Sequence, residues 1–193
     1  MDQTNILDTP KVYPELLAKS KEIGFAMPSD MYIGTLLKTL VSSKIIGNFL
    51  EIGTGMSLSL AWMLEGMDEN SKLTSIDNDT ELIKIAKDFF GEEKRLQLVC
   101  ADGEAWLSEY QGKKFDLIFA DAWPGKYHLL NETLALIKDG GFYVIDDMKP
   151  QPNWPSGHGA KAAGLIAALE LNKDFTITKM DWSTGVIVAV KTK

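Results

Sequence analysis

A chain of 193 residues fits one domain, residues 1–193, and at that length can bury roughly 70% of its unfolded surface without metals or disulfides. Acidic residues outnumber basic ones, 27 to 20; the formal charge of −7 suits a phosphate backbone poorly, and the lysines form no block, so nucleic acid is not an expected partner. No run approaches the roughly 18 apolar residues of a membrane span, and the opening "MDQTNILDTP" has no basic start followed by an apolar run. The expectations are a cytoplasmic location with no membrane partner and, for the single cysteine, Cys100, a place in the core of a protein without an intrachain disulfide.

Residues 1–45 read as an N-terminal helical cap in which Ile33, Leu36, Leu37, Leu40 and Val41 share one helical face. Short apolar runs then alternate with helical patterns. "NFLEI", "KLTSI", "RLQLVC", "FDLIFA" and "GFYVI" are five candidate strands of a mostly parallel sheet. Between them, "NDTE" offers Asn78 as the N-cap of a helix carrying Leu82, Ile85, Ala86 and Phe89, and Leu130, Leu134 and Ile137 precede the terminator "KDGG". The proline-rich "MKPQPNWPSGHG", Met148 to Gly159, reads as a functional loop. His128 is placed on a helix and His158 in that loop, neither with a companion at metal-ligand or triad spacing. After a last helix near Lys161 to Leu171, "FTITKM" and "TGVIVAVK" flank "DWS" and read as a closing hairpin. The fold expected is α/β, a doubly wound, Rossmann-like, seven-stranded, mostly parallel sheet with a C-terminal antiparallel hairpin, binding ligands at the carboxyl ends of its strands.

Glu51, Gly53 and Gly55 fall where the first strand turns into a helix, and the missing side chains let a ligand approach the backbone. The third glycine of a dinucleotide-binding GxGxxG turn is replaced by Leu58, and a glutamate would repel a pyrophosphate but suit a cationic ammonium. Asp77, followed by Asn78, closes the second strand, where a carboxylate can accept both hydroxyls of a ribose. Asp102 with Gly103 closes the third, where an adenine can be read by hydrogen bonds. Each aspartate alone could equally cap a helix.

Taken in order, "LEIGTG", "TSIDND", "CADG" and "FADAW" resemble the cofactor site of class I S-adenosylmethionine-dependent methyltransferases, from about Ala26 to the C-terminus. The resemblance implies that Glu51 lies near the methionine ammonium, Gly53 and Gly55 form the cofactor turn, Asp77 with Asn78 borders the ribose, and Asp102 and Gly103 border the adenine. "FADAWPGKYHLL" followed by "GGFYVIDDM" is most similar to the metal-dependent O-methyltransferases of the catechol and caffeoyl-CoA type. That implies Mg²⁺ or another divalent cation on Asp121, Asp146 and Asp147, hard oxygen donors that would serve a hydroxylated small-molecule acceptor. It also implies that Asp121 and Trp123 border the cofactor, with Tyr127 in the same pattern, and that a homodimer is compatible. The family's catalytic lysine, three residues after the metal aspartate, is Pro124 here. Lys126 could reach the substrate around the Pro124–Gly125 turn or stand as a solvated surface lysine. The loop with Trp154 and His158 is expected to wall the acceptor, with "DMYIG" near Asp30 opposite. Two rivals remain open: a metal-independent methyltransferase in which Asp121 or His158 orients the acceptor, and a non-catalytic nucleotide- or cofactor-binding module.

Overall fold

A computed structural model describes residues 2–152 and 154–193; Asn153, in the proline-rich segment, lies outside the described residues. Two helices come first, α1 (Tyr13–Glu22) and α2 (Met31–Ser42). The second begins at Asp30, whose carboxylate accepts hydrogen bonds from the amides of Tyr32 and Ile33 and so satisfies two of the helix's free donors. An alternation follows: β1 (Asn48–Ile52), α3 (Leu58–Gly66), β2 (Lys72–Asp77), α4 (Thr80–Phe90), β3 (Leu96–Cys100), α5 (Gly103–Glu109), β4 (Phe115–Ala120), α6 (Leu130–Ala135) and β5 (Ile137–Ile145). The chain closes with α7 (His158–Leu171), β6 (Phe175–Met180) and β7 (Val186–Lys191).

The seven strands lie in the order β3-β2-β1-β4-β5-β7-β6; the first five are parallel, and β7 runs antiparallel to both β5 and β6. The doubly wound sheet with its closing hairpin is therefore the observed fold. Period-two alternation sorts the core onto two faces. On one face Leu50, Ile52, Ile118 and Tyr143 meet Leu107 of α5, Leu134 of α6 and Leu165 of α7. On the other, Phe49, Leu117, Phe119 and Val144 meet Ile33 and Leu37 of α2 and Leu60 and Met63 of α3. Each such fully buried side chain contributes roughly 1.5–3 kcal/mol, which is why helices cover both faces.

Register decides where the site forms. Ile52 pairs with Ile76 and with Ala120, and Ala120 with Ile145, so the residues that follow these strands emerge side by side at one edge. The chain leaves β1 for β2 on one side and reaches β4 on the other, and at this switch point the connections part to opposite faces and leave a crevice.

Several local expectations are corrected. The cap of α4 is Asp79, whose carboxylate accepts from the amides of Glu81 and Leu82, and not Asn78, which stays beside the crevice. Ile137 begins β5 instead of ending a helix: it is fully buried and pairs with Phe115, and "KDGG" is absorbed in the strand where the register shifts. The spacing of Leu134 and Ile137 fits a helix as well as a helix-to-strand junction, so periodicity could not separate them. Cys100 is exposed, because β3 is an edge strand. His128 lies outside α6, in the loop before it, whereas His158 is the first residue of α7.

Candidate active site

At the carboxyl edge two cavities of about 620 and 240 Å³ share Gly53, Asp77, Asn78, Ala122 and Trp123 in their walls. Gly53 has φ +100°, and a Cβ there would stand 3.2 Å from the Asp121 carbonyl and the Ala122 side chain. Only glycine suits that position. The turn is fixed from β2: Gly53 and Thr54 amides donate to the Ile76 carbonyl, and the Gly55 amide donates to Asp77 Oδ2 at 2.9 Å. The other Asp77 oxygen accepts from the Asp79 amide at 3.0 Å, so two backbone donors aim this carboxylate along the crevice wall.

Asp102 and Gly103 line the smaller cavity together with Pro124. Asp102 also caps α5 by accepting from the Ala105 amide, so the cap and the wall position coexist in one residue. A Cβ on Gly103 would meet Pro124 at 2.9 Å, which explains a small residue there and a rigid one opposite.

Glu51 lies behind the crevice and not in its wall. It is fully buried and absent from both cavity walls; its carboxyl lies beneath the glycine turn, accepting from Ser59 Oγ at 2.6 Å and Ser75 Oγ at 2.5 Å. Ser75 in turn meets the Thr54 hydroxyl at 2.7 Å, so the network links β1, β2, α3 and the turn. Burial pushes the Glu51 carboxyl up to about 7 despite these donors.

The segment after β4 folds into a tight turn against β5. Amides of Lys126, Tyr127 and His128 all converge on the Trp123 carbonyl, and Tyr143 donates to the Gly125 carbonyl at 2.7 Å. Gly125 has φ +76°, and this tight turn carries Lys126 inwards rather than to solvent. Lys126 is 4% exposed, lines the larger cavity and donates from Nζ to the Asp146 carbonyl at 2.5 Å. The surface-lysine alternative is thereby excluded. His128 instead pairs with Glu104 at the surface, 2.6 Å away.

Asp121, Asp146 and Asp147 share the larger cavity's wall. Ser29 donates to Asp121, and the Thr184 hydroxyl and the Asp147 amide donate to Asp146. Loss of solvent, followed by the charge of Asp146, holds the Asp121 carboxyl above the usual carboxylate range; Asp146 is raised by burial first and Asp147 adds to it. Among the described residues no three His, Cys, Asp or Glu side chains are already gathered as a metal cage, so these carboxylates share a wall without closing around a point.

The larger cavity's outer wall is aromatic. Trp154 stacks on the His158 ring, centroids 4.3 Å apart, and Tyr127 and Trp123 meet that ring edge-on. Lys161 Nζ stands 4.0 Å from the centre of the Trp123 ring. Met27, Pro28, Ser29 and Asp30, which lead into α2, line the same cavity. Sequence reasoning missed Ser29, Thr184 and the Ser59–Ser75 pair. For Ser75 alone a signal existed: a small hydroxyl within an apolar strand, in register beside Glu51.

A seven-stranded sheet of this order with a glycine turn and an aspartate at its switch point defines a class I S-adenosylmethionine-dependent methyltransferase fold. The sequence profile of the family described as O-methyltransferase matches residues 15–181, and the chain belongs to that family. A Mycobacterium avium protein that bears the O-methyltransferase name is 30% identical, with 91% of this chain and 85% of the relative covered. Among solved structures, the O-methyltransferase TomG of Streptomyces achromogenes, in complex with S-adenosylmethionine, superposes with a TM-score of 0.85 at 19% identity, covering 98% of this chain and 93% of the other. An O-methyltransferase of Bacillus cereus in complex with S-adenosylhomocysteine gives 0.83 at 16% identity, covering 98% and 94%. At these identities the two structures establish the shared fold.

Proposed function

We propose that the protein moves the methyl group of S-adenosylmethionine to a hydroxyl oxygen of a small molecule, with a divalent cation such as Mg²⁺ held by Asp121, Asp146 and Asp147. The observation that carries this reading is the junction of two unlike cavities at Gly53, Asp77 and Trp123. The smaller one offers glycine backbone and the carboxylates of Asp77 and Asp102, suited to a nucleoside. The larger one offers aromatic walls and buried carboxylates, suited to a polar planar acceptor. In this reading Asp77 accepts the ribose hydroxyls with Asn78 beside it, Asp102, Gly103 and Trp123 border the adenine, and the turn from Gly53 to Gly55 carries the methionine part. Glu51 holds that turn from below rather than meeting the ammonium.

The donor set suits a hard cation in its chemistry: on top of burial, Asp146 and Asp147 raise the proton affinity of Asp121, Asp147 raises that of Asp146, and a divalent ion relieves such crowding of carboxylate charge. When bound, the ion would polarise the acceptor hydroxyl and lower its pKa. The remaining work belongs to the chain: Lys126 adds positive charge where a phenoxide develops, and the aromatic wall keeps water from the reacting oxygen. A metal-independent reading is favoured by one observation, the buried Lys126 ammonium already seated against Asp146.

Initial rates with a panel of phenols and catechols, measured in excess chelator and after Mg²⁺ is restored, separate these readings. Loss and recovery are expected. Full activity in chelator would leave the metal-independent form standing, and cofactor binding without turnover of any acceptor would favour a non-catalytic cofactor-binding module.

A further inference from the structure

Tyr127 Oη and His158 Nε2 are 2.9 Å apart, and both residues line the larger cavity with Asp121 and Lys126. His158 is 9% exposed, clamped under Trp154, and its Nδ1 is buried with no hydrogen-bond partner among the described residues. Neutral imidazole has one N–H and one lone pair. With the hydrogen on Nδ1, a donor would be buried and orphaned; with it on Nε2, only a lone pair goes unmatched, the milder fault. Burial first, then the charges of Lys126 and Lys161, hold the His158 pKa below its ordinary value against the opposing pull of Asp147, a shift that favours the neutral ring. The phenol of Tyr127 is pushed up to about 12, by burial and by Asp147, and keeps its proton.

We infer that His158 Nε2–H donates to Tyr127 Oη, which turns the Tyr127 hydroxyl hydrogen into the cavity as a donor to an oxygen of the methyl acceptor. The identity of the molecule there rests on the methyl-transfer reading above; the hydrogen-bond arrangement does not. Tyr127 meets the acceptor, and His158 is a positioning residue acting through it. The acceptor class favoured carries a second oxygen with a free lone pair beside the methylated hydroxyl, as a carbonyl, ether or neighbouring hydroxyl does.

The arrangement is tested on ¹⁵N-labelled protein saturated with S-adenosylhomocysteine, using long-range imidazole spectra at pH 7. The chain has two histidines, so His128→Asn assigns His158 by elimination. A protonated Nε2 with bare Nδ1 is expected; an Nδ1-protonated ring, or an imidazolium, would overturn the inference. For the acceptor, Tyr127→Phe should raise KM for catechol and 2-methoxyphenol on the order of 10-fold, the loss of one hydrogen bond, while KM for plain phenol and the affinity for S-adenosylhomocysteine stay unchanged. Equal KM values for catechol in both proteins would refute the role in recognition. If the unmodified protein methylates no member of the panel yet binds S-adenosylhomocysteine, the transfer reading falls and the acceptor role with it, while the spectra still decide the tautomer separately.

Discussion

The Glu51 carboxyl, sealed beneath the glycine turn with Ser59 and Ser75 as its donors, has its pKa raised from 4.5 to about 7 because burial disfavours its charge more than two hydroxyls favour it. The folded chain therefore holds this proton more tightly than the unfolded chain. That contribution to stability is fully present below about pH 4.5 and is lost as pH rises through about 7, a change of roughly 3 kcal/mol for the unliganded protein. Glu51→Gln, neutral at every pH, should lose this component. Thermal unfolding at pH 5 and pH 8 checks it: the drop between the two should be smaller in the variant, and an equal drop would place the pH dependence elsewhere. Glu51 also marks a limit of residue-level reading. A glutamate at the end of a strand before a glycine turn can be held inward or left facing a ligand, and the hydroxyls that hold it inward come from the helix that follows and from the neighbouring strand, contacts that only the folded sheet brings together.

At the level of elements, the glycine turn and the Pro124–Gly125 turn shape the crevice from two sides. Gly53→Ala would force a side chain into φ +100° with backbone 3.2 Å away, a cost of roughly 1–3 kcal/mol, and should lower both Tm and affinity for S-adenosylhomocysteine. Retention of both would mean the turn relaxes freely. The strands and this turn were legible because alternation and glycine placement are local signals. The start of β5 was not, since Ile137 owes its strand state to pairing with Phe115, a tertiary contact. Nor was the fate of Lys126: the turn that buries it depends on three amides meeting the Trp123 carbonyl and on Tyr143 from β5. Asp121, Asp146 and Asp147 were legible as neighbours from strand order, but not the donors Ser29 and Thr184 that hold two of them.

Across the whole molecule, the sheet order brings two unlike cavities to one edge, and under the proposed function each should fail independently. Asp146→Ala removes a carboxylate of the larger cavity only. It should abolish turnover while leaving affinity for S-adenosylhomocysteine nearly unchanged; turnover close to that of the parent would remove Asp146 from the chemistry. The cofactor half is the claim on which the rest depends, and calorimetric titration tests it most directly. S-adenosylhomocysteine should bind saturably while NAD does not, since Leu58 stands where a dinucleotide turn needs its third glycine. Asp77→Ala should weaken that binding by roughly 1.5–3 kcal/mol through the lost charged hydrogen bonds. Saturable NAD binding with no response to S-adenosylhomocysteine would contradict the account.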